Sequence, residues 1–166
     1  MRNTLVSAAA LLLTLSACGG DEKTDELTAD EQQAATSISA YWQGTGMNEE
    51  PSDCLGEKTV RSFGLAHLKD LGALNDELDA ETKLPTAFTS ATDATTAATN
   101  TVDCLTLSGL MMEQYKGVDE ATAECLAEAY GRDRYIKAMA DTMQGLSVEE
   151  APADVTAEMS KCVPQQ

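Results

Sequence analysis

Four cysteines in the body of this 166-residue chain offer the widest choice of chemistry: Cys54, Cys104, Cys125 and Cys162. Zinc sites usually need closely spaced pairs such as C-x₂-C together with histidines. Here the nearest two of these cysteines are 21 positions apart, and the chain has one histidine. A redox C-x-x-C pair is absent as well. We therefore expect no metal and no cofactor, and we expect disulfide bonds if the chain is exported.

A short pattern of acid, cysteine and leucine begins two similar segments. The segment DCLGE starts at Asp53 and the segment ECLAE starts at Glu124, and each continues with a break and a second amphipathic turn. Each half also ends in a helical stretch that carries a further cysteine. The pattern indicates two related helical modules, at about residues 52–117 and 118–164, neither of which can close a core alone.

The repeat favours one disulfide pairing among the three that four cysteines allow. If each module is an evolutionary unit, each holds its own bridge, which predicts Cys54–Cys104 and Cys125–Cys162. Loops of roughly 50 and 40 residues would each stabilise the fold by about 4 kcal/mol in the chain-entropy description. The alternative is Cys104–Cys125, which would staple a helical hairpin.

The first residues have the character of an export signal. Residues 1–17 carry one positive charge at Arg2, then an apolar run from Leu5 to Leu15 that is too short to span a bilayer. The sequence LSAC that ends at Cys18 resembles the lipobox of bacterial lipoproteins. That resemblance implies cleavage before Cys18, acylation of its thiol, and a protein anchored outside the cytoplasmic membrane by lipid. Residues 18–27 would then be the lipidated cysteine and a flexible tether.

A wider resemblance covers roughly residues 28–164. A capping helix is followed by DCL, VDCL, ECL and a final KC, and this order is similar to that of small four-cysteine lipoproteins of actinobacteria. The members of that group are uncharacterised. The resemblance implies a location in the cell envelope and a helical fold, and it implies no activity.

Helical periodicity and helix-stopping glycines predict an all-α fold, a small disulfide-stapled helical bundle forming a single domain over residues 28–166. Thr28 and Glu31 have the spacing of a capping box, and no window of six residues alternates as a half-buried strand does. The predicted helices are 28–44, one that follows a loop at 44–52 and runs through Cys54 and Phe63 to Gly64, 65–71, 88–116 as one long helix bent at Gly109, 119–130, 133–144 and 154–163. Residues 73–86 are polar and are predicted to be a surface connector.

Composition limits the possible partners. The chain has 28 acidic and 11 basic residues, a formal net charge of −17, and loss of residues 1–17 would make it −18 because Arg2 is removed. Such a surface repels nucleic acid, so no nucleic-acid partner is expected. The acids form no recognisable calcium loop.

Few residues suggest a catalytic or binding site. His67 is the only histidine and lies between leucines, which favours a structural role, and no G-x-S-x-G surrounds a serine. Arg132 and Arg134 could bind an anion, but pairing with neighbouring acids is favoured. Five methionines could fill core gaps or line a groove for an apolar ligand: Met111, Met112, Met139, Met143 and Met159.

Two classes of function follow from these observations. The first is a non-catalytic binding or structural module, held on the membrane by its N-terminal lipid and contacting an envelope protein or a small ligand. A carrier of an apolar ligand in a methionine-lined groove is an alternative to it. The second class is an envelope enzyme with an unrecognised site.

Overall fold

The computed structural model describes residues 26–81, 88–147 and 151–163, and every regular element in these ranges is a helix. The predicted all-α fold with two disulfides is therefore confirmed. The signal segment, Cys18 and most of the tether lie outside the described residues. The helices are α1 (Ala29–Gly44), α2 (Glu49–Phe63), α3 (Leu65–Asp70), α4 (Ala91–Leu105), α5 (Leu107–Gln114), α6 (Glu120–Tyr130), α7 (Arg132–Met143) and α8 (Ala153–Cys162).

Helix α1 begins as the sequence predicts and packs directly on α2. Thr28 accepts a hydrogen bond from the Glu31 backbone, and the Glu31 carboxylate accepts one from the Thr28 backbone at 2.8 Å, which completes the capping box. On the inner face of α1, Ala34 and Ile38 are fully buried against α2 and α3. The small side chains on this face let the two helices approach closely.

Helix α2 is fastened to α4 by three different interactions. The Cys54–Cys104 disulfide joins them at a Cα–Cα distance of 5.6 Å. The Lys58 ammonium donates to the Asp103 carboxylate at 2.7 Å. A turn farther along, the Ser62 hydroxyl donates to the amide oxygen of buried Asn100 at 3.2 Å. These links fix the register of α2 on α4, which together form one side of the bundle.

Asp103 also connects this pair of helices to α7. Its carboxylate accepts hydrogen bonds from Lys58 and from the Arg132 guanidinium at the start of α7. The hydrogen bond from Lys58, followed by that from Arg132, lowers the pKa of Asp103. The carboxylate therefore stays ionised between its two cations.

The second half of the bundle repeats the stapled arrangement. Helix α8 lies on α6 and is joined to it by the Cys125–Cys162 disulfide, again at a Cα–Cα distance of 5.6 Å. Buried side chains of α5 and α6 form the core beside it: Met111, Ala123 and Leu126. Both disulfides thus follow the pairing that the repeat predicts, and not the hairpin alternative.

Packing between the predicted modules is extensive. Helix α4 of the first half packs on α7 of the second, where Ala94, Ala98 and Val102 meet Ile136 and Ala140. Helix α5 packs in the same way on α6. The halves therefore share core surfaces, as expected of helix groups too small to bury their own apolar faces. Their common origin stays a prediction.

The prediction of one long helix over residues 88–116 is wrong. Helix α4 starts at Ala91, capped by Ser90, and the chain breaks at Thr106, where φ is +57°. Thr106 caps α5, because its hydroxyl accepts from the Gly109 backbone at 3.1 Å. An unbroken helix would carry Met111 away from α6, whereas the turn at Thr106 buries it there.

Two smaller predictions also need correction. Helix α2 begins at Glu49, inside the predicted loop, because Pro51 is acceptable in the first helical turn. The predicted surface connector is partly core: Ala73 and Leu74 are 4% and 3% exposed, and Leu74 forms an isolated antiparallel bridge with Ala80. This segment also contacts α1, because the Ala80 backbone N–H donates to the Ser37 hydroxyl at 2.7 Å.

Within the described ranges no helix is both long and apolar enough to cross a bilayer.

Candidate ligand-binding cavity

An apolar cavity of about 290 Å³ lies between α1, α2, α3 and α4. Four aromatic and five aliphatic side chains form most of its wall: Tyr41, Trp42, Phe63 and Phe88 with Ile38, Leu55, Leu68, Leu71 and Met143. Ala73, Ala97, Thr59 and Thr101 complete the lining. We call this space the aromatic cavity. Binding pockets for small molecules are commonly concave and mostly apolar in this way.

The end of α1 supplies two of the aromatic walls. Tyr41 and Trp42 are adjacent residues, so their side chains leave the helix in different directions, and their rings meet edge to face at 5.3 Å. The helix ends two residues later at Gly44. Both rings are therefore held at the rim of the α1–α2 pair, where they are only partly buried.

A short aromatic stack forms another wall. The rings of Phe63 and Phe88 lie nearly parallel with centroids 6.3 Å apart, and the Phe88 backbone donates to the Met143 carbonyl at 2.8 Å. His67 stacks on Phe63 at 5.9 Å and places Nε2 3.1 Å from the carboxylate of Asp93. The histidine thus braces the wall from outside and does not line the cavity, which agrees with the structural role predicted from sequence.

One threonine of the lining has its hydroxyl engaged within its own helix. The hydroxyl of Thr101 donates to the Ala97 carbonyl of the preceding turn at 2.9 Å. A hydroxyl bonded to its own helix is already satisfied. Thr101 therefore behaves as a small apolar residue toward a ligand.

A second concave space, of about 470 Å³, adjoins the first. Its polar side chains include Thr101, Thr142, Gln114 and three tyrosines. Gln114 and the tyrosines, Tyr115, Tyr130 and Tyr135, come from the ends of α5 and α6 and the first turn of α7. Met111, Met139 and Met143 line it as well. We call this space the tyrosine groove.

The three phenols of the tyrosine groove lie close to one another. The rings of Tyr130 and Tyr135 meet edge to face with centroids 5.8 Å apart. Burial, followed by the proximity of Tyr130 and Tyr115, raises the pKa of Tyr135. A phenol whose pKa is raised stays protonated at neutral pH, so Tyr135 presents a neutral ring and hydroxyl to the groove.

The aromatic cavity and the tyrosine groove share a wall. Trp42, Thr101 and Met143 line both spaces. No aspartate, glutamate, lysine, arginine or histidine occurs among the described residues that line either one. A single elongated ligand can therefore contact both spaces, and it would find aromatic and apolar surface along most of its length.

The structure separates the methionines that the sequence groups. Met111, Met139 and Met143 line the tyrosine groove. Met112 is 43% exposed elsewhere, and Met159 packs on the core beside α6. Three of the five methionines named from the sequence therefore line one concave space, and the binding of an apolar ligand there stays a prediction.

The two arginines of the segment GRDRY are engaged within the chain. Arg132 binds Asp103, and Arg134 donates to the Tyr130 carbonyl at 3.0 Å. Arg132 thus pairs with an acid, as the sequence favours, whereas the hydrogen bond of Arg134 goes to a backbone carbonyl.

Sequence reasoning missed the convergence of the tyrosines. Three of the four tyrosines in the chain fall within residues 115–135. Tyr115 and Tyr130 lie within one residue of a helix end, and Tyr135 lies in the first turn of α7, after the break at Gly131. Aromatic residues at successive helix ends were the available signal, because neighbouring helix ends in a bundle meet at the same edge. Their spacing fits no single helical face, so periodicity could not reveal them.

In the part of the chain that the structure describes, no group of three or more histidine, cysteine, aspartate or glutamate side chains is arranged to hold a metal ion. The chain matches no protein-family model, no curated protein and no solved structure.

Proposed function

We propose that this chain is a non-catalytic binding protein, anchored by lipid outside the cytoplasmic membrane, that holds an apolar ligand in the aromatic cavity. The observation that carries the proposal is the lining of that cavity, whose described residues are aromatic and aliphatic apart from two threonines and include no ionisable group except the Tyr41 phenol. An apolar ligand gains about 25 cal/mol for each Å² of apolar surface that leaves water. A charged ligand would lose its hydration in the cavity without a counter-charge.

The side chains of the tyrosine groove also support binding over catalysis. General acid–base or nucleophilic chemistry at neutral pH needs a group that can exchange a proton there, such as a histidine or a carboxylate with a tuned pKa. The side chains that converge in the tyrosine groove are phenols, and burial moves the pKa of Tyr135 upward, away from neutrality. The groove is therefore better suited to contact a ligand than to transform it.

We expect a leucine at position 97 to weaken the binding of apolar probes. Ala97 lines the aromatic cavity from α4, so Ala97→Leu places three further carbon atoms in a space of about 290 Å³. The measurement is energy transfer from Trp42, the only tryptophan of the chain and a wall of the cavity, to bound N-phenyl-1-naphthylamine. Wild-type protein should show saturable transfer, and Ala97→Leu should weaken the affinity by about tenfold or more, which corresponds to about 1.4 kcal/mol.

The matched control is Ala91→Leu, on the same helix at an exposed position outside both spaces. It should bind the probe as the wild type does. Absence of saturable transfer in the wild type, or equal binding by Ala97→Leu in a protein of unchanged helicity, would contradict the proposal.

The proposed anchor rests on the LSAC sequence that ends at Cys18. Replacing Cys18 with serine removes the thiol that would receive the lipid, so the protein should move from the membrane fraction to the soluble fraction of the producing cells. Ser16→Ala, which keeps a small residue before the cysteine, is the control and should stay with the membrane. Labelling with a radioactive fatty acid should follow the same pattern. Retention of the Cys18→Ser chain on membranes would contradict lipid anchoring.

A further inference from the structure

We propose that the tyrosine groove binds a quaternary ammonium head, so that the full ligand is an amphiphile whose apolar chain occupies the aromatic cavity. This inference rests on the proposed function and adds the chemistry of the ligand's polar end. The juxtaposition that motivates it is an aromatic box, built from Tyr115, Tyr130, Tyr135 and Trp42, beside an apolar cavity with which it shares a wall.

The arrangement of the rings fits a weakly hydrated cation. Tyr130 and Tyr135 meet at 76°, which makes a corner, and Tyr115 and Trp42 provide further rings of the same space. Aromatic faces attract a cation within about 6 Å of the ring centre, and boxes of such faces are suited to methylated ammonium groups. Three methionine side chains fill the remaining wall with polarisable, apolar surface.

The scarcity of hydrogen-bonding groups argues against other polar heads. A sugar or another polyhydroxyl head brings many donors and acceptors, each of which needs a partner when it leaves water. Beyond three phenols, Gln114 and the indole N–H of Trp42, the described lining offers the hydroxyls of Thr101 and Thr142, and both of these already donate within their own helices. A quaternary ammonium has no N–H group and needs no such partner.

The charges of the groove and of the whole chain also favour a cationic head. A carboxylate or phosphate would meet no lysine or arginine among the described residues of the groove, and the acidic chain as a whole repels anions. The negative field of a protein with formal net charge −17 raises the local concentration of cations instead. No carboxylate lines the groove, so the rings themselves must stabilise the bound cation.

The test compares probes that share a ten-carbon chain and differ in the head. Full-length protein carrying Cys18→Ser, which needs no detergent, is titrated with decyltrimethylammonium, decanol, decanoate and decylphosphocholine below their micelle concentrations, and Trp42 fluorescence is recorded. We expect decyltrimethylammonium to bind about tenfold more tightly than decanol. Decanoate should bind more weakly than decanol. If decylphosphocholine and decyltrimethylammonium bind with equal affinity, the head of the ligand can be a phosphocholine. If decylphosphocholine binds more weakly, the site accepts the ammonium head only without a phosphate. Either result supports the inference.

Paired substitutions distinguish the contribution of each aromatic ring to binding from that of its hydroxyl. Tyr115 is 38% exposed, so both Tyr115→Phe and Tyr115→Leu should fold, and Tyr130 gives a second pair. The phenylalanine variants keep a ring and should bind decyltrimethylammonium within about threefold of the wild type. The leucine variants should lose about tenfold while binding of decanol stays within about threefold.

Three outcomes overturn the inference. One is equal binding of decanol and decyltrimethylammonium, which would leave the apolar cavity intact as a site. Another is loss of binding in the phenylalanine variants, which would assign the contact to the hydroxyls. The third is disappearance of the preference in 0.5 M NaCl, because salt screens general attraction to an acidic surface more than contacts inside a groove. Failure of every probe, decanol included, would instead contradict the proposed function.

Discussion

Replacing both Cys54 and Cys104 with alanine should lower the free energy of unfolding by about 4 kcal/mol. The bridge closes a sequence separation of 50 residues, and in the unfolded chain it removes the conformational freedom of that loop. A small domain has a total stability of about 5–15 kcal/mol, so this loss would bring the protein close to unfolding at physiological temperature. Urea denaturation followed by circular dichroism measures it as a lower midpoint.

Ligand binding should suffer in the same variant. The disulfide holds α2 on α4, and these two helices contribute Leu55, Thr59, Ala97 and Thr101 to the aromatic cavity. Without it, the pair retains the Lys58–Asp103 ion pair and the Ser62–Asn100 hydrogen bond. Both are partly exposed polar contacts, and each contributes on the order of 1 kcal/mol or less. Affinity for N-phenyl-1-naphthylamine should therefore fall together with stability.

Removal of the second disulfide is the matched comparison. Cys125 and Cys162 are 37 residues apart and join α8 to α6, at a distance from the aromatic cavity. Their replacement by alanine should release α8 and cost slightly less than removal of the first bridge. Binding of the probe should persist at temperatures where the variant is folded. A loss below about 1 kcal/mol for Cys54→Ala/Cys104→Ala, or equal effects of both bridges on binding, would contradict this assignment.

The pairing of the cysteines could be predicted because the sequence contains a local repeat around them. The segments that begin at Asp53 and Glu124 share a pattern, and each is followed by one further cysteine. Most helix ends could be predicted for a similarly local reason, since Gly64, Gly131 and Gly145 each adopt a positive φ that ends or follows a helix. Thr28 and Glu31 satisfy each other within a single turn.

Features that depend on distant contacts could not be predicted. Thr106 breaks a stretch whose alanine and threonine pattern is helical throughout, and the break follows from the burial of Met111 against α6. The aromatic cavity gathers side chains from residues 38 to 143, and no local pattern links them. For the candidate site, sequence analysis identified the three methionines of the groove and missed its tyrosines.

The repeat itself contains one difference that the structure explains. The residue after the shared leucine is Gly56 in the first copy and Ala127 in the second. A Cβ at Gly56 would lie 2.3 Å from the carbonyl oxygen of Ala35, on the backbone of α1. Ala127 is only partly buried. Of the two helices that hold the copies, α2 and α6, only α2 packs on α1. The glycine is therefore required by the close contact of α1 and α2.

Gly56→Ala should consequently destabilise the fold by about 3 kcal/mol, even though alanine is the better helix former by about 1 kcal/mol. The obstructing atom belongs to a backbone, so α1 must move outward, and it would carry Ile38 and Trp42 away from the aromatic cavity. Thermal and urea denaturation measure the loss of stability, and the emission maximum of Trp42 should shift to longer wavelength as its ring becomes more exposed to water.

Gly44→Ala provides the matched control for this substitution. Gly44 is the last residue of α1, and a Cβ built there meets no atom within 4 Å. Alanine at position 44 should leave the stability unchanged or raise it by up to about 1 kcal/mol, because it limits the freedom of the unfolded chain. The two glycine-to-alanine changes therefore differ in sign for one physical reason, the presence or absence of a backbone against the new methyl group. A Gly56→Ala protein as stable as the Gly44→Ala protein would show that α1 and α2 are not in backbone contact, and would remove the rigid wall on which the aromatic cavity depends.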